Sequence, residues 1–142
     1  MDIHLIGAYG KLGMAIQKQL PHHPCTLKGA YVSASSSSIE CETLHPPLCY
    51  SPFCSGISGV CIDVSSAKAL KEHFPIHMKN KNPLVVGSTG HSKEILEQLK
   101  QASAHYPILY ASNFSFGVFL FSKALEALAP YRHHIPDIEL TE

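Results

Sequence analysis

Hydrophobic positions along the chain switch between two periods, and the switching marks out the elements in turn. The run "DIHLI" (residues 2–6) predicts a first strand, and residues 11–20 follow with Leu12, Ala15, Ile16 and Leu20 at helical spacing, up to Pro21. A second strand, with a glycine inside it, is expected at "TLKGAYVS" (26–33). Residues 34–58 are rich in Ser, Pro and Cys and lack a helical period, so a long surface loop with partial order is expected there. "GVCIDVS" (59–65) predicts a third strand, residues 67–78 a helix, and "NPLVVGSTG" (82–90) a fourth strand ending in a glycine-rich turn. Ser92 is placed to cap the next helix, whose apolar stripe is Ile95, Leu96, Leu99 and Ala102. "YPILYASNFS" predicts a fifth strand running into a polar turn. A strongly apolar helix, "FGVFLFSKALEALAP", then runs to Pro130, and "IPDIELTE" predicts a sixth strand.

Strands thus alternate with helices, and several strands are apolar on both faces. That is the pattern of a mostly parallel sheet flanked by helices on both sides. The 142 residues contain no internal repeat and no linker-like stretch. One doubly wound α/β domain of Rossmann-like type is expected over residues 1–142, large enough to bury roughly 68–70% of the unfolded chain's surface.

Composition narrows the chemistry. Eleven basic residues balance eleven acidic ones without any Lys/Arg cluster, which argues against a nucleic-acid partner. Five cysteines (Cys25, Cys41, Cys49, Cys54 and Cys61) form no C-x-x-C pair, so reduced thiols are expected rather than a metal site, although Cys49, Cys54 and His45 could be read as ligands. Cys61 falls in an apolar strand pattern and reads as a small hydrophobe. No signal-peptide pattern and no run of membrane-spanning length is present, so a soluble, cytoplasmic protein without a membrane partner is expected.

In a sheet of this kind ligands bind where the strands end, at the point where strand order reverses. The first strand leads into "GAYGKLG", close to the G-x-G-x-x-G turn of dinucleotide-binding folds but with Tyr9 at the middle position. Gly7 supplies the tight turn, Gly10 lets backbone N–H groups approach a phosphate, and Gly13 lets the helix pack close to the sheet. The alternative is a tight strand–helix turn with no ligand. The second strand ends without the carboxylate that usually binds the ribose of NAD; Ser33, Ser35 and Ser36 stand there. Hydroxyls there, with Lys11 in the first helical turn, point to a 2′-phosphate and so to NADPH, with NADH as the other possibility; otherwise the serines are only a flexible polar loop. The fourth and fifth strands end in "GSTG" (Gly87, Ser88, Thr89, Gly90) and "ASNFSFG", where Asn113 and Phe114 could face a nicotinamide or serve as turn residues.

The segments "GAYGKLG", "CIDVSSAKAL", "VVGSTG" and "YASNFSFGV", in this order and spacing, resemble the N-terminal domain of 4-hydroxy-tetrahydrodipicolinate reductase (dihydrodipicolinate reductase), a family of lysine and diaminopimelate synthesis. The resemblance covers essentially the whole chain. Its first motif is G-A-x-G-[RK]-M-G, so Tyr9 is ordinary there, and Leu12 replaces a methionine. It implies that Gly7, Ala8, Tyr9, Gly10, Lys11 and Leu12 cradle a pyrophosphate. By the same likeness Gly87, Ser88 and Thr89 line the nicotinamide half, beside Ala111, Ser112, Asn113 and Phe114. Ser33 and Ala34 stand where the family often carries an acid.

The family's H-H-x-x-K and A-P-S-G-T motifs, which carry the general acid and the dicarboxylate-binding groups, follow the strand matched by "DIELTE". This chain ends at Glu142, before them. The expectation is therefore a cofactor-binding half with no catalytic residue of its own and no metal, inactive without a C-terminal substrate domain. The complete enzyme would be a homotetramer acting on a small dicarboxylate. His133 and His134 precede the last strand and read as exposed connector residues. Rival readings are a stand-alone NADPH-binding module and another NADP-dependent reductase of an imine or carbonyl.

Overall fold

Strand β1 (Asp2–Ile6) is buried along nearly its whole length, with Ile3 and Leu5 on one face and His4 and Ile6 on the other. A strand apolar on both sides belongs in the middle of a parallel sheet. In the computed structural model, which describes residues 1–32, 48–49 and 56–134, β1 pairs in parallel with β2 (Thr26–Tyr31) and β4 (Val60–Asp63). β3 (Leu48–Cys49), β5 (Leu84–Val86) and β6 (Ile108–Tyr110) complete a six-stranded sheet in the order β3-β2-β1-β4-β5-β6, parallel throughout. This bears out the doubly wound expectation. The edge strand β3 arises inside the segment read as a loop, because two residues are too short to leave a period-2 signature. The expected sixth strand at 135–142 lies outside the described residues.

The β1–β2 ladder shifts register between Ile3 and His4, leaving Lys28 as the extra residue on β2. Gly29 has a packing reason beside this bulge. A Cβ there would stand 2.8 Å from the Tyr31 ring and hydroxyl and 2.9 Å from His4 Nδ1. His4 Nε2 lies 3.2 Å from the Ser58 carbonyl, which can only accept, so Nδ1 accepts from the Tyr31 hydroxyl, also at 3.2 Å. A buried histidine on the central strand is thereby satisfied at both nitrogens.

Helix α1 (Lys11–Gln19) runs into a 3-10 turn at Leu20–His22, where Pro21 ends it as expected. The stripe facing the sheet differs from the expected one. Leu12 is 42% exposed and Ala15 is exposed, while Gly13 is buried and Ile16 packs on Leu5, Ala8 and Ala30. The helix approaches most closely at Gly13, where no side chain holds it off, and this turns the contact stripe to Gly13, Ile16 and Leu20. On the other face, α2 (Ala67–Asn80) and α3 (Lys93–Ala102) set Leu70, Phe74, Ile95, Leu99 and Ala102 against Ile6, Tyr31, Cys61, Leu84 and Val86. Ser66 and Ser92 cap these two helices by accepting from Ala69 N and Ile95 N. The Ser92 cap and the α3 stripe were both legible in the pattern.

Residues 1–112 form one compact unit and residues 113–142 a second. In the second, Asn113 Oδ1 accepts from Ser115 N at 2.7 Å and the Ser115 hydroxyl caps α4 (Phe116–Leu128) by accepting from Val118 N. The apolar helix expected here is present, and it continues as 3-10 helix over Ala129–His134, through Pro130. Phe116, Phe119, Leu120 and Phe121 are all exposed. His133 is exposed, as expected of a connector; the side chain of His134 lies outside the described residues.

Phe74 joins α2 to this core and is 4% exposed. Phe74→Ala should lower stability by about 3–5 kcal/mol, read as a fall in the urea midpoint at unchanged slope.

Candidate functional site

Because every strand runs the same way, the segments that follow β1, β2, β4, β5 and β6 leave the sheet at one edge. Strand order reverses between β1 and β4, and there the glycine turn sits. The turn is held from below. Gly7 N and Ala8 N both donate to the Tyr31 carbonyl, at 2.9 and 3.2 Å, and Gly10 N donates back to the Gly7 carbonyl at 3.0 Å. Gly7 takes φ +84°, a left-handed conformation suited to glycine, and a Cβ on it would lie 2.7 Å from Ser65 Cα and N. A Cβ on Gly13 would run into the Gly7 carbonyl oxygen and lie 2.8 Å from the Ala8 carbonyl oxygen. Gln17, one helical turn on, donates from Nε2 to the same Ala8 carbonyl at 2.8 Å.

The N–H groups of Gly7, Ala8 and Gly10 are spent inside the protein. Helical bonding starts with Met14 N to the Gly10 carbonyl, so Lys11, Leu12 and Gly13 have no intrahelical acceptor for theirs. No acidic residue stands in this first turn, and the helix dipole adds about half a positive charge. A bound anion is what such an end favours. Tyr9 requires no special backbone: Lys81 is the only non-glycine with positive φ among the described residues.

Beside the turn, at the end of β4, lies a feature that strand patterning did not single out. Asp63 is fully buried, and its Oδ1 accepts from both Ser65 N (3.0 Å) and Ser65 Oγ (2.5 Å). His73 Nδ1 and His77 Nε2, one turn apart on α2, each stand 3.7 Å from Oδ2. Those separations exceed hydrogen-bond length but keep both imidazoles against the carboxylate. Burial pushes the Asp63 carboxyl up, but His73, His77 and the two Ser65 donors outweigh it and hold the group well below the usual carboxylate range. The carboxylate thus fixes Ser65, the residue on which Gly7 rests. A lone carboxylate inside the apolar run "VCIDV", followed by histidines at i, i+4, was the available signal.

Of the remaining expected residues, Gly87 N donates to the Asp63 carbonyl at 2.9 Å, which brings the β5 turn alongside the β4 end. Ser88 is buried with its hydroxyl 3.1 Å from His91 Nε2, and Thr89 is exposed. Ala111 N donates to the Val86 carbonyl, so Ala111 and Ser112 leave the sheet from β6 beside this turn. Asn113 and Phe114 open the second unit, where Asn113 acts as a turn residue and Phe114 is half exposed. Ser33, Ser35, Ser36, His45 and Cys54 lie outside the described residues, as does the Cys49 side chain. Burial pushes the Cys61 thiol up to about 11, which keeps it a neutral hydrophobe. Among the described residues no cluster of His, Cys, Asp and Glu is arranged to hold a metal, and no helix is long and apolar enough to cross a membrane.

A parallel sheet in this order, with a glycine turn and a helix N-terminus at its reversal point, is the architecture of dinucleotide-binding α/β domains. A family model described as "Dihydrodipicolinate reductase, N-terminus" matches residues 1–114, and the chain belongs to that family. A protein named 4-hydroxy-tetrahydrodipicolinate reductase from Zymomonas mobilis subsp. mobilis is 29% identical over 145 residues, covering all of this chain and 53% of the relative. Relatives of the same name from Clostridium perfringens (strain SM101) and Helicobacter pylori (strain HPAG1) are 35% and 31% identical, each over the full chain and 55% and 57% of their own lengths. The chain spans about half the length of the curated relatives it matches.

Two outcomes follow from this geometry. Gly13→Ala should cost about 1–3 kcal/mol by forcing α1 away from the Gly7 carbonyl, seen as a lower thermal midpoint. The depressed Asp63 carboxyl contributes stability that is complete above its unfolded value, about pH 4, and is lost as pH falls below it. Asp63→Asn should therefore be destabilised by about 1.5–3 kcal/mol at neutral pH, with a flatter loss of thermal midpoint from pH 4 to 2 than the parent chain.

Proposed function

We propose that this chain is the cofactor-binding half of a cytoplasmic 4-hydroxy-tetrahydrodipicolinate reductase that uses NADPH. The observation that carries the reading is the Gly7–Gly13 contact at the β1/β4 reversal: a backbone cradle that a single Cβ would fill, facing a helix end without acidic residues. Lys11, Leu12 and Gly13 would give backbone N–H groups to the pyrophosphate, while Gly7 and Gly10 shape the turn. The Lys11 side chain, exposed at the first helical position, would meet the 2′-phosphate together with Ser33, Ser35 and Ser36. Gly87, Ser88 and Thr89 would border the nicotinamide half, joined by Ala111, Ser112, Asn113 and Phe114.

When bound, the reduced nicotinamide supplies a hydride, here to an unsaturated cyclic imine dicarboxylate. The chain's own part is to bind the dinucleotide and orient it at the sheet edge. The general acid, the cations for the substrate carboxylates and the homotetramer interface belong, in this reading, to the remaining length of the enzyme. The names of the relatives and the family match support the assignment of the reaction.

Calorimetric titration of the chain with NADPH and NADH in parallel tests this. Saturable binding, tighter for NADPH, is expected; heat from neither would remove the cofactor-binding reading. Lys11→Ala should weaken NADPH about tenfold or more and leave NADH nearly unchanged, whereas equal losses would take Lys11 out of the 2′-phosphate pocket.

A further inference from the structure

His91 follows the β5 turn directly, and the roles expected of Gly87, Ser88 and Thr89 leave it out. Its Nε2 lies 2.8 Å from the Ser88 carbonyl oxygen and 3.1 Å from the Ser88 hydroxyl. A carbonyl only accepts, so Nε2 carries the hydrogen and donates to it. The ring also meets Tyr110, the last residue of β6, edge-on with centroids 5.8 Å apart at 68°. Gly90, at φ +80° with open space where a Cβ would stand, makes the reversal that returns the chain over Ser88. Ser88 itself is only 5% exposed. Its hydroxyl faces the imidazole, so the turn presents backbone groups rather than that hydroxyl to a ligand. One imidazole thereby ties the β5 turn to the end of β6.

We propose that His91 is a positioning residue for the nicotinamide half of the dinucleotide: by holding the Ser88 carbonyl and bracing against Tyr110, it sets the orientation of the Gly87–Ser88–Thr89 backbone. The inference rests on the cofactor-binding reading above. The β5 turn lies two strand spacings from the β1 turn, about 10 Å, which is the reach of one nucleoside from a pyrophosphate held at α1. A change confined to the β5 turn should therefore be felt by the nicotinamide end and not by the adenine end.

The test compares ligands that differ only in the nicotinamide: NADPH against 2′-phospho-ADP-ribose, and NADH against ADP-ribose, titrated into the full chain and its variants. His91→Phe keeps a ring against Tyr110 and removes the donor. It should weaken the dinucleotides about five- to tenfold and leave the nicotinamide-free ligands within about twofold. His91→Gln, which places an amide N–H where Nε2 stood, should recover most of the loss. Unchanged dinucleotide affinity in His91→Phe would overturn the proposal. So would equal losses for ligands with and without nicotinamide, which mark a general structural role. If His91→Phe does not fold, His91→Ala takes its place: a loss confined to the dinucleotides supports the proposal, and unchanged affinity or equal losses for all four ligands overturn it. A parent chain that binds none of the four refutes the cofactor-binding reading itself, an outcome distinct from these.

Discussion

Gly7 is met by backbone on three sides, two at its carbonyl and one at its α-carbon, and the rest of the edge is arranged around it. Gly10 N–H donates to the carbonyl, the α-carbon of Gly13 passes over it, and the backbone of Ser65 lies under the Gly7 α-carbon. Three segments from β1, α1 and β4 thus meet with no side chain between them. Close packing of backbone against backbone leaves little room for compromise, since the neighbours are not flexible side-chain ends that can swing away. Each neighbour is pinned separately: Ser65 by the Asp63 carboxylate, Ala8 by Gln17 and by the Tyr31 carbonyl, and Gly13 by the helix it belongs to.

The electrostatic layout follows the same division. The negative charge of Asp63, beside the turn, is buried and faces Ser65 and the α2 imidazoles. The first turn of α1 carries Lys11 and no acid. The N-terminal end of α1 and Lys11 thus bring positive charge to the sheet edge, while the Asp63 carboxylate is met by donors inside the fold. A carboxylate at this depth is stable only with such a complement of donors.

Much of this is legible in the amino-acid sequence. The strand–helix alternation, the Ser92 cap, the α3 stripe and the three glycines all follow from periodicity and local chemistry, which are short-range properties of the chain. In the α1 stripe Ile16 packs on the sheet as the pattern predicts, but Leu12 and Ala15 fit the same helical period as Gly13 and yet are exposed. Only the close approach to Gly7 decides between them, and that is a contact between segments. The Asp63–Ser65–His73–His77 cluster is local to β4 and the helix after it, and its only signal is a lone carboxylate in an apolar run; the contact of His91 with Tyr110 joins residues whose meeting depends on sheet order. The strand β3 was missed because two residues pair through backbone bonds alone and impose no side-chain pattern.

The position of β1 also governs how the chain comes into being. It shares the middle of the sheet with β4 and is made before it, since β4 begins only at Val60. At about 5–20 residues per second, the edge of β1 that β4 will cover stays unpaired for roughly three to ten seconds during synthesis. Parallel pairing offers no hairpin shortcut, so every ladder in the sheet waits for a distant segment. The polar Asp2 and His4, set among Ile3, Leu5 and Ile6, interrupt the apolar run that is exposed for that interval. They give the nascent strand some protection against pairing with its neighbours on the same ribosome track.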